Sequence, residues 1–314
     1  MSDGGGGVPG ARTVRCAVAP APASPVIVEA VRAGGGTVVD PSEGEALVWT
    51  EPLDGPGLAT CLDGASGVRW VQLPFVGVDA FLSIIDDRRT WTSAKGAYSE
   101  PVAEHALALG LAGLRHLPTR ARARRWGEQA GRRLMDGRVT IVGGGGIAEA
   151  LLQLLAPFRV HTTVVRRHGG PVAGADRVVT TDGLHDVLVG ADLVVLALAL
   201  TPETDGIIGA PELDRMEAHA WLVNVARGRH VVTDDLVDAL RRRAIGGAAL
   251  DVTEPEPLPD GHPLWDLDNC LITPHTANTW AMAEPLFARR VTENVARFGR
   301  GDELLGGVNP RLGY

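Results

Sequence analysis

Short runs of β-branched and aliphatic residues recur near the start of the chain at 14–19, 37–39, 47–50 and 68–73, separated by Pro, Gly and Asp. A second series follows at 140–142, 160–165, 193–198, 220–225, 247–250 and 270–273. Helical patterns lie between them. Ser24 as cap and Pro25 as first residue open a helix that runs to Ala33. A long pattern covers 99–117, shorter ones 149–155, 184–189 and 233–243, and an amphipathic one 281–298. Strands alternating with helices predict an α/β protein with two doubly wound parallel-sheet domains. The main boundary falls near Glu100. One domain is expected at 13–100 completed by 283–314, a second at 101–282, after a glycine-rich tail at 1–12 expected to be disordered.

Composition narrows the classes. The 314 residues suffice for two cores, and 45% hydrophobic with 4% aromatic residues describes a globular chain. A net charge of −8 argues against a general nucleic-acid binder. The arginines between 115 and 133 have a single aromatic, Trp126, among them, and are expected to form a solvated face or a subunit contact. Cys16, Cys61 and Cys270 are far apart, with neither metal-ligand spacing nor a disulfide framework, which fits a reducing cytoplasm. The longest apolar run, 193–200, is too short to span a bilayer, and no secretion signal is recognisable. No metal, nucleic-acid or membrane partner is expected.

The densest chemical signal is Thr140-Ile141-Val142-Gly143-Gly144-Gly145-Gly146-Ile147-Ala148. A strand runs into glycines and then into a helix, as in a dinucleotide-binding unit. Gly143 permits the tight turn and Gly145 lets the backbone approach a pyrophosphate. Gly146 and Ile147, at the helix start, offer N–H groups and the positive end of the dipole. The pattern is G-x-G-x-x-A, ending at Ala148. By itself it is a modest signal, because a flexible glycine turn has the same composition.

Three later segments place reactive side chains at strand ends. They are Asn224-Val225-Ala226-Arg227-Gly228, Leu250-Asp251-Val252-Thr253-Glu254-Pro255-Glu256-Pro257 and Thr273-Pro274-His275-Thr276-Ala277. In a parallel sheet these ends share the edge of the glycine loop. An Arg, a Glu and a His meeting beside a nicotinamide suit carbonyl reduction. The Arg binds a carboxylate bidentately, the protonated His gives a proton to oxygen, and the Glu raises the His pKa.

On these residues the chain resembles the D-isomer-specific 2-hydroxyacid dehydrogenases, which include glyoxylate/hydroxypyruvate reductases and 3-phosphoglycerate dehydrogenases. Gly77-Val78-Asp79, Val102-Ala103-Glu104-His105, Thr201-Pro202-Glu203-Thr204 and Pro263-Leu264-Trp265 extend the likeness over nearly the whole chain after residue 14. The resemblance implies a flavodoxin-like substrate domain, a Rossmann cofactor domain and a cleft between them. It implies that Arg227 binds substrate, His275 is the acid/base and Glu256, rather than Glu254, is its partner. Backbone at Val76 and Gly77 would hold the carboxylate, Asp251 would lie near the nicotinamide amide, and Thr201, Val225 and Ala226 would line the cofactor. Related formate dehydrogenases carry Gln in place of this Glu, so a His–Glu pair favours reduction of a 2-keto acid to a D-2-hydroxy acid. A homodimer through the cofactor domain is also implied. Two departures are visible: Ala199-Leu200-Thr201 stands where Pro-Leu-Thr is usual, and 126–135 is shortened.

In NAD-preferring members an acidic residue ends the second strand of the cofactor domain and accepts the ribose hydroxyls. Here that place holds Arg166 and Arg167, so NADP(H) is expected, with NAD as the alternative and solvated loop arginines as the plainer explanation. Trp49, at a strand end, faces substrate or packs in the core; the residue pattern supports both equally. His105, His116 and His219 are expected to be packing or surface residues. The alternatives in function are a dinucleotide-sensing binding protein of the same fold, or a dehydrogenase of another small anion such as phosphite.

Overall fold

The computed structural model describes residues 12–309, so the expected disordered tail lies outside it up to residue 11. The chain divides into two units. One holds everything up to Tyr98 together with the stretch from Thr279 onward, and the other is Ser99–Asn278.

The first unit is built on β1 (Val14–Ala19), α1 (Pro25–Ala33), β2 (Gly36–Val38), β3 (Ala46–Trp49), α2 (Gly55–Asp63), β4 (Trp70–Gln72) and β5 (Thr90–Thr92). Its strands form one parallel sheet in the order β2-β1-β3-β4-β5, the flavodoxin-like arrangement. Along β3, Ala46 and Val48 enter a core with Val14, Ile27 and Trp70, while Leu47 and Trp49 enter another with Leu58, Val71 and Phe81. Both faces are covered, which is why the strand is apolar at every position.

The second unit contains α3 (Ser99–Leu114), α4 (Leu117–Arg122), β6 (Arg138–Val142), α5 (Gly146–Leu155), β7 (His161–Arg166), β8 (Arg177–Thr180), α6 (Leu184–Leu188), β9 (Leu193–Leu196), α7 (Ala210–Leu213), β10 (Trp221–Asn224), α8 (Thr233–Arg241), β11 (Gly247–Leu250) and β12 (Cys270–Ile272). Its parallel sheet runs β12-β11-β10-β9-β6-β7-β8. The order reverses between β6 and β9, the place where open α/β sheets bind ligands. α3 packs on this sheet through glycine: a Cβ at Gly113 would lie 2.2 Å from the Trp221 ring. The last described helix, α9 (Trp280–Arg300), belongs to the first unit and packs on α1.

Some elements depart from the pattern. β5 and β8 were not evident in it, because both are short edge strands with polar residues at their ends. Asp54-Gly55-Pro56-Gly57 has the composition of a separator, yet it opens α2: Asp54 Oδ1 accepts the Gly57 N–H at 2.8 Å and Pro56 sits in the first turn. The expected 99–117 helix ends at Leu114, because His116 turns left-handed (φ 50°) and begins a separate helix, α4, with Pro118 in its first turn. Ser24 precedes α1 without capping it; its hydroxyl donates instead to Glu284 Oε1 at 2.6 Å. No helix among the described residues is long and apolar enough to cross a membrane.

A buried polar cluster ties α9 to the first sheet. Asn294, fully buried, donates to Gln72 Oε1 (2.8 Å) and to the Leu305 carbonyl (2.9 Å), and accepts from the Leu305 N–H (2.8 Å). Gln72 Oε1 also accepts from the Thr92 hydroxyl, which in turn accepts from Trp70 Nε1. Each partner would be left unsatisfied by truncation. We expect Asn294→Ala to lower stability by about 2–4 kcal/mol in urea unfolding. A change below about 1 kcal/mol would show that the cluster does not couple the helix to the sheet.

Candidate active site

β6 delivers the chain to Gly143, whose φ is +122° and whose added Cβ would lie 2.1 Å from the Ala197 carbonyl oxygen. Only glycine fits there. Gly145 and Gly146 then lead into α5, whose first turn has no side-chain cap. A Cβ at Gly145 would meet nothing within 4 Å, so the backbone there is open on its Cβ side. Helix-start donors without a side-chain cap fit the pyrophosphate of a dinucleotide. Ala148 is fully buried in the core shared with Ile141 and Leu151, which lets helix and strand approach closely.

At the end of neighbouring β7 stands Arg166. Its Cδ lies 3.2 Å from the position a Gly144 Cβ would take, so its side chain runs along the glycine loop. Arg167, half exposed, has its guanidinium 3.6 Å from Glu203. Glu203 belongs to the turn after β9, which is closed by the Thr201 N–H donating to Thr204 Oγ1 at 2.8 Å.

The ends of β10, β11 and β12 meet on the same sheet edge. Asn224 closes the first: its Oδ1 accepts the Ala226 N–H at 3.0 Å and its Nδ2 donates to the Arg227 carbonyl at 2.8 Å. Val225 and Ala226 are buried, and Arg227 Nη1 donates to the Ala226 carbonyl at 2.7 Å. The backbone then presses on the next segment. A Cβ at Gly228 would lie 1.9 Å from the Thr253 carbonyl oxygen. From that segment Glu256 reaches the third strand end, where His275 Nδ1 donates to its Oε1 at 2.6 Å. Glu254 makes its contact through its carbonyl, which accepts from Thr233.

Asp251 organises this edge. Its carboxylate, 1% exposed, accepts from the Thr273 hydroxyl (2.6 Å), the Thr276 N–H (2.9 Å) and the Ala277 N–H (3.0 Å). Its carbonyl accepts the His275 N–H at 2.8 Å. Burial alone would raise its pKa, but the hydrogen bonds from His105, Thr273, Thr276 and Ala277 outweigh that and hold it below the usual carboxylate value. Both of its oxygens are engaged within the loop that carries His275, a use of this side chain that the resemblance did not indicate.

Other residues fall as follows. Val76 is exposed and Gly77 half-buried, in the loop after β4 of the first unit. Trp49 is 2% exposed in the core, which accounts for it as a packing residue; its indole N–H has no partner. Two histidines have roles that their isolated positions did not suggest. His105 Nε2 lies 3.0 Å from Thr273 Oγ1 and 3.3 Å from Asp251 Oδ1. His230, fully buried, has its ring nitrogens 2.9 Å from the Thr204 carbonyl and 3.2 Å from the Leu198 carbonyl, bracketing the turn that contains Thr201. Burial lowers its pKa. The available signal for His105 was a polar residue within the mainly apolar α3.

A dinucleotide cradle at the switch point of a doubly wound sheet, with an imidazole–carboxylate pair on the same edge, defines an NAD(P)-dependent oxidoreductase. Residues 106–277 match the model of the D-isomer specific 2-hydroxyacid dehydrogenase NAD binding domain. An uncharacterized protein from the proB 3′ region of Corynebacterium melassecola is 41% identical over 80% of this chain and 86% of its own length. Glyoxylate/hydroxypyruvate reductase A of Photorhabdus laumondii is 28% identical over 86% of this chain and 87% of its own. A D-isomer specific 2-hydroxyacid dehydrogenase from Xanthobacter autotrophicus Py2, solved with NADPH and MES, is 29% identical and matches with a TM-score of 0.82 over 96% of this chain and 100% of that one. The chain belongs to the D-isomer specific 2-hydroxyacid dehydrogenase family.

The lowered pKa of Asp251 has a consequence for stability. Its ionised form contributes stability above the unfolded value of about 4, and that contribution is lost as the pH falls through the lower folded value. Asp251→Asn, which sets an amide donor among donors, is expected to cost about 1–3 kcal/mol at pH 7. The gap from wild type should narrow in urea titrations run below about pH 4. A gap that stayed constant with pH would contradict an ionised Asp251 in the folded state.

Proposed function

We propose that this protein is an NADP(H)-dependent reductase of a small 2-keto acid of the glyoxylate or hydroxypyruvate kind, yielding the D-2-hydroxy acid. The observation that carries this reading is the 2.6 Å contact of His275 Nδ1 with Glu256, on the strand edge that also holds the glycine loop and Arg227. When bound, the reduced dinucleotide supplies the hydride that the carbonyl carbon accepts. Everything else is done by side chains. With Nδ1 held by Glu256, His275 offers Nε2 to the keto oxygen as proton donor. The carbonyl gains a proton on oxygen from His275, and water restores the ring. Arg227 binds the substrate carboxylate and stabilises charge on the keto oxygen.

Support for NADP over NAD comes from the end of β7, where Arg166 lies along the glycine loop and Arg167 follows. Two guanidiniums there suit a 2′-phosphate. The similar Xanthobacter enzyme was solved with NADPH. A homodimer through the cofactor domain belongs to the same reading, and Trp126, 94% exposed in the arginine-rich segment, is available for such a contact.

His275→Ala should lower kcat/KM with glyoxylate or hydroxypyruvate by roughly 10²–10⁴-fold while circular dichroism stays unchanged. A folded variant with wild-type turnover would remove His275 from the chemistry. In the same assay wild type should favour NADPH, and Arg166→Ala should reduce kcat/KM for NADPH about tenfold or more while leaving that for NADH within about threefold. Wild-type preference for NADH would overturn the cofactor assignment.

A further inference from the structure

We infer that His105 is a positioning residue, which acts from α3 through Thr273 and Asp251 to hold the 273–277 loop in the conformation that presents His275. The inference rests on the proposed role of His275 as proton donor.

The hydrogen bonds around the loop have a fixed direction. The Thr273 hydroxyl has one proton, and the Asp251 carboxylate 2.6 Å away takes it. Toward His105 Nε2, at 3.0 Å, Thr273 Oγ1 is therefore the acceptor, and Nε2 carries a hydrogen. The same Nε2 is 3.3 Å from Asp251 Oδ1. The remaining described donors to the carboxylate, Thr273 and the N–H groups of Thr276 and Ala277, all come from the loop itself. His105 is the donor that comes from another element, and it links that carboxylate to a helix packed closely on the sheet.

The loop needs such a link. His275 has φ +52°, a left-handed conformation that costs a non-glycine residue about 1–2 kcal/mol. It persists only where its surroundings over-determine it. Here they do so mainly through one residue, because the carbonyl and carboxylate of Asp251 together accept from the N–H groups of positions 275, 276 and 277, the first also reaching the Thr273 carbonyl at 2.9 Å. If Asp251 turns, the loop relaxes and the imidazole leaves Glu256. A histidine that merely fills space under the sheet edge would have no such effect.

The test uses the full chain and two readouts. His105→Leu removes the donor, whereas His105→Gln places an amide N–H at nearly the same reach. In His105→Leu, hydrogen exchange at the Thr276 and Ala277 amides should quicken about tenfold or more, with exchange in β6 and β9 unchanged. With glyoxylate and NADPH, kcat should fall about tenfold or more while KM for NADPH stays within about twofold. His105→Gln should restore both readouts. If His105→Leu does not fold, Thr273→Val cuts the same link from the other side and should give the same pair of changes. Wild-type exchange at 276 and 277 in the variants overturns the inference. So does accelerated exchange spread over the whole unit with no rescue by Gln, which marks a purely structural role. Failure of the functional reading looks different: His275→Ala would then keep its turnover, while exchange at 276 and 277 would still respond to His105.

Discussion

One buried carboxylate governs this molecule's reactive edge. A charge at the end of β11 with 1% exposure is tolerable only if donors surround it, and the nearest supply is the backbone of the following strand's loop. The chain after β12 therefore wraps around Asp251, spending the N–H groups of Thr276 and Ala277 on its oxygens. That wrapping forces His275 into a left-handed conformation and aims its ring at Glu256. The position of the imidazole is a consequence of satisfying a neighbour.

The sheet supplies the second constraint. Every strand pair in it is parallel, so β6, β10, β11 and β12 all end on one edge. Residues far apart in sequence meet there without any long-range contact being specified individually. Glycine sharpens the arrangement at two points where a methyl group would collide with backbone: Gly143 against Ala197, and Gly228 against Thr253. The first shapes the cradle for a dinucleotide. The second presses the Arg227 turn onto the segment that carries Glu256.

Much of this was legible in the chain because the relevant signals are local. The apolar runs follow from burial on both sheet faces, and the glycine cluster from the turn it must make. Arg227 and His275 stood out as ionisable groups just after apolar strands, whereas Glu256, one of several carboxylates in a proline-rich loop, was singled out by the resemblance. Weak signals failed where burial is partial: edge strands β5 and β8 need few apolar residues, and α2 begins with the glycine and proline of a turn. Trp49 was open to two readings because an aromatic at a strand end packs inward or outward with equal local propensity.

The sequence by itself determined the class of fold, the succession of strands and helices, the glycine loop and which side chains could perform the chemistry. These depend on hydrophobic periodicity and residue type, which act over a few residues. Tertiary structure alone decided that Asp251 anchors the loop and that His105 and His230 brace neighbouring turns. Hydrogen-bond partners such as His105 and Thr273, 168 residues apart, are set by distances and directions in space, and no local pattern records them.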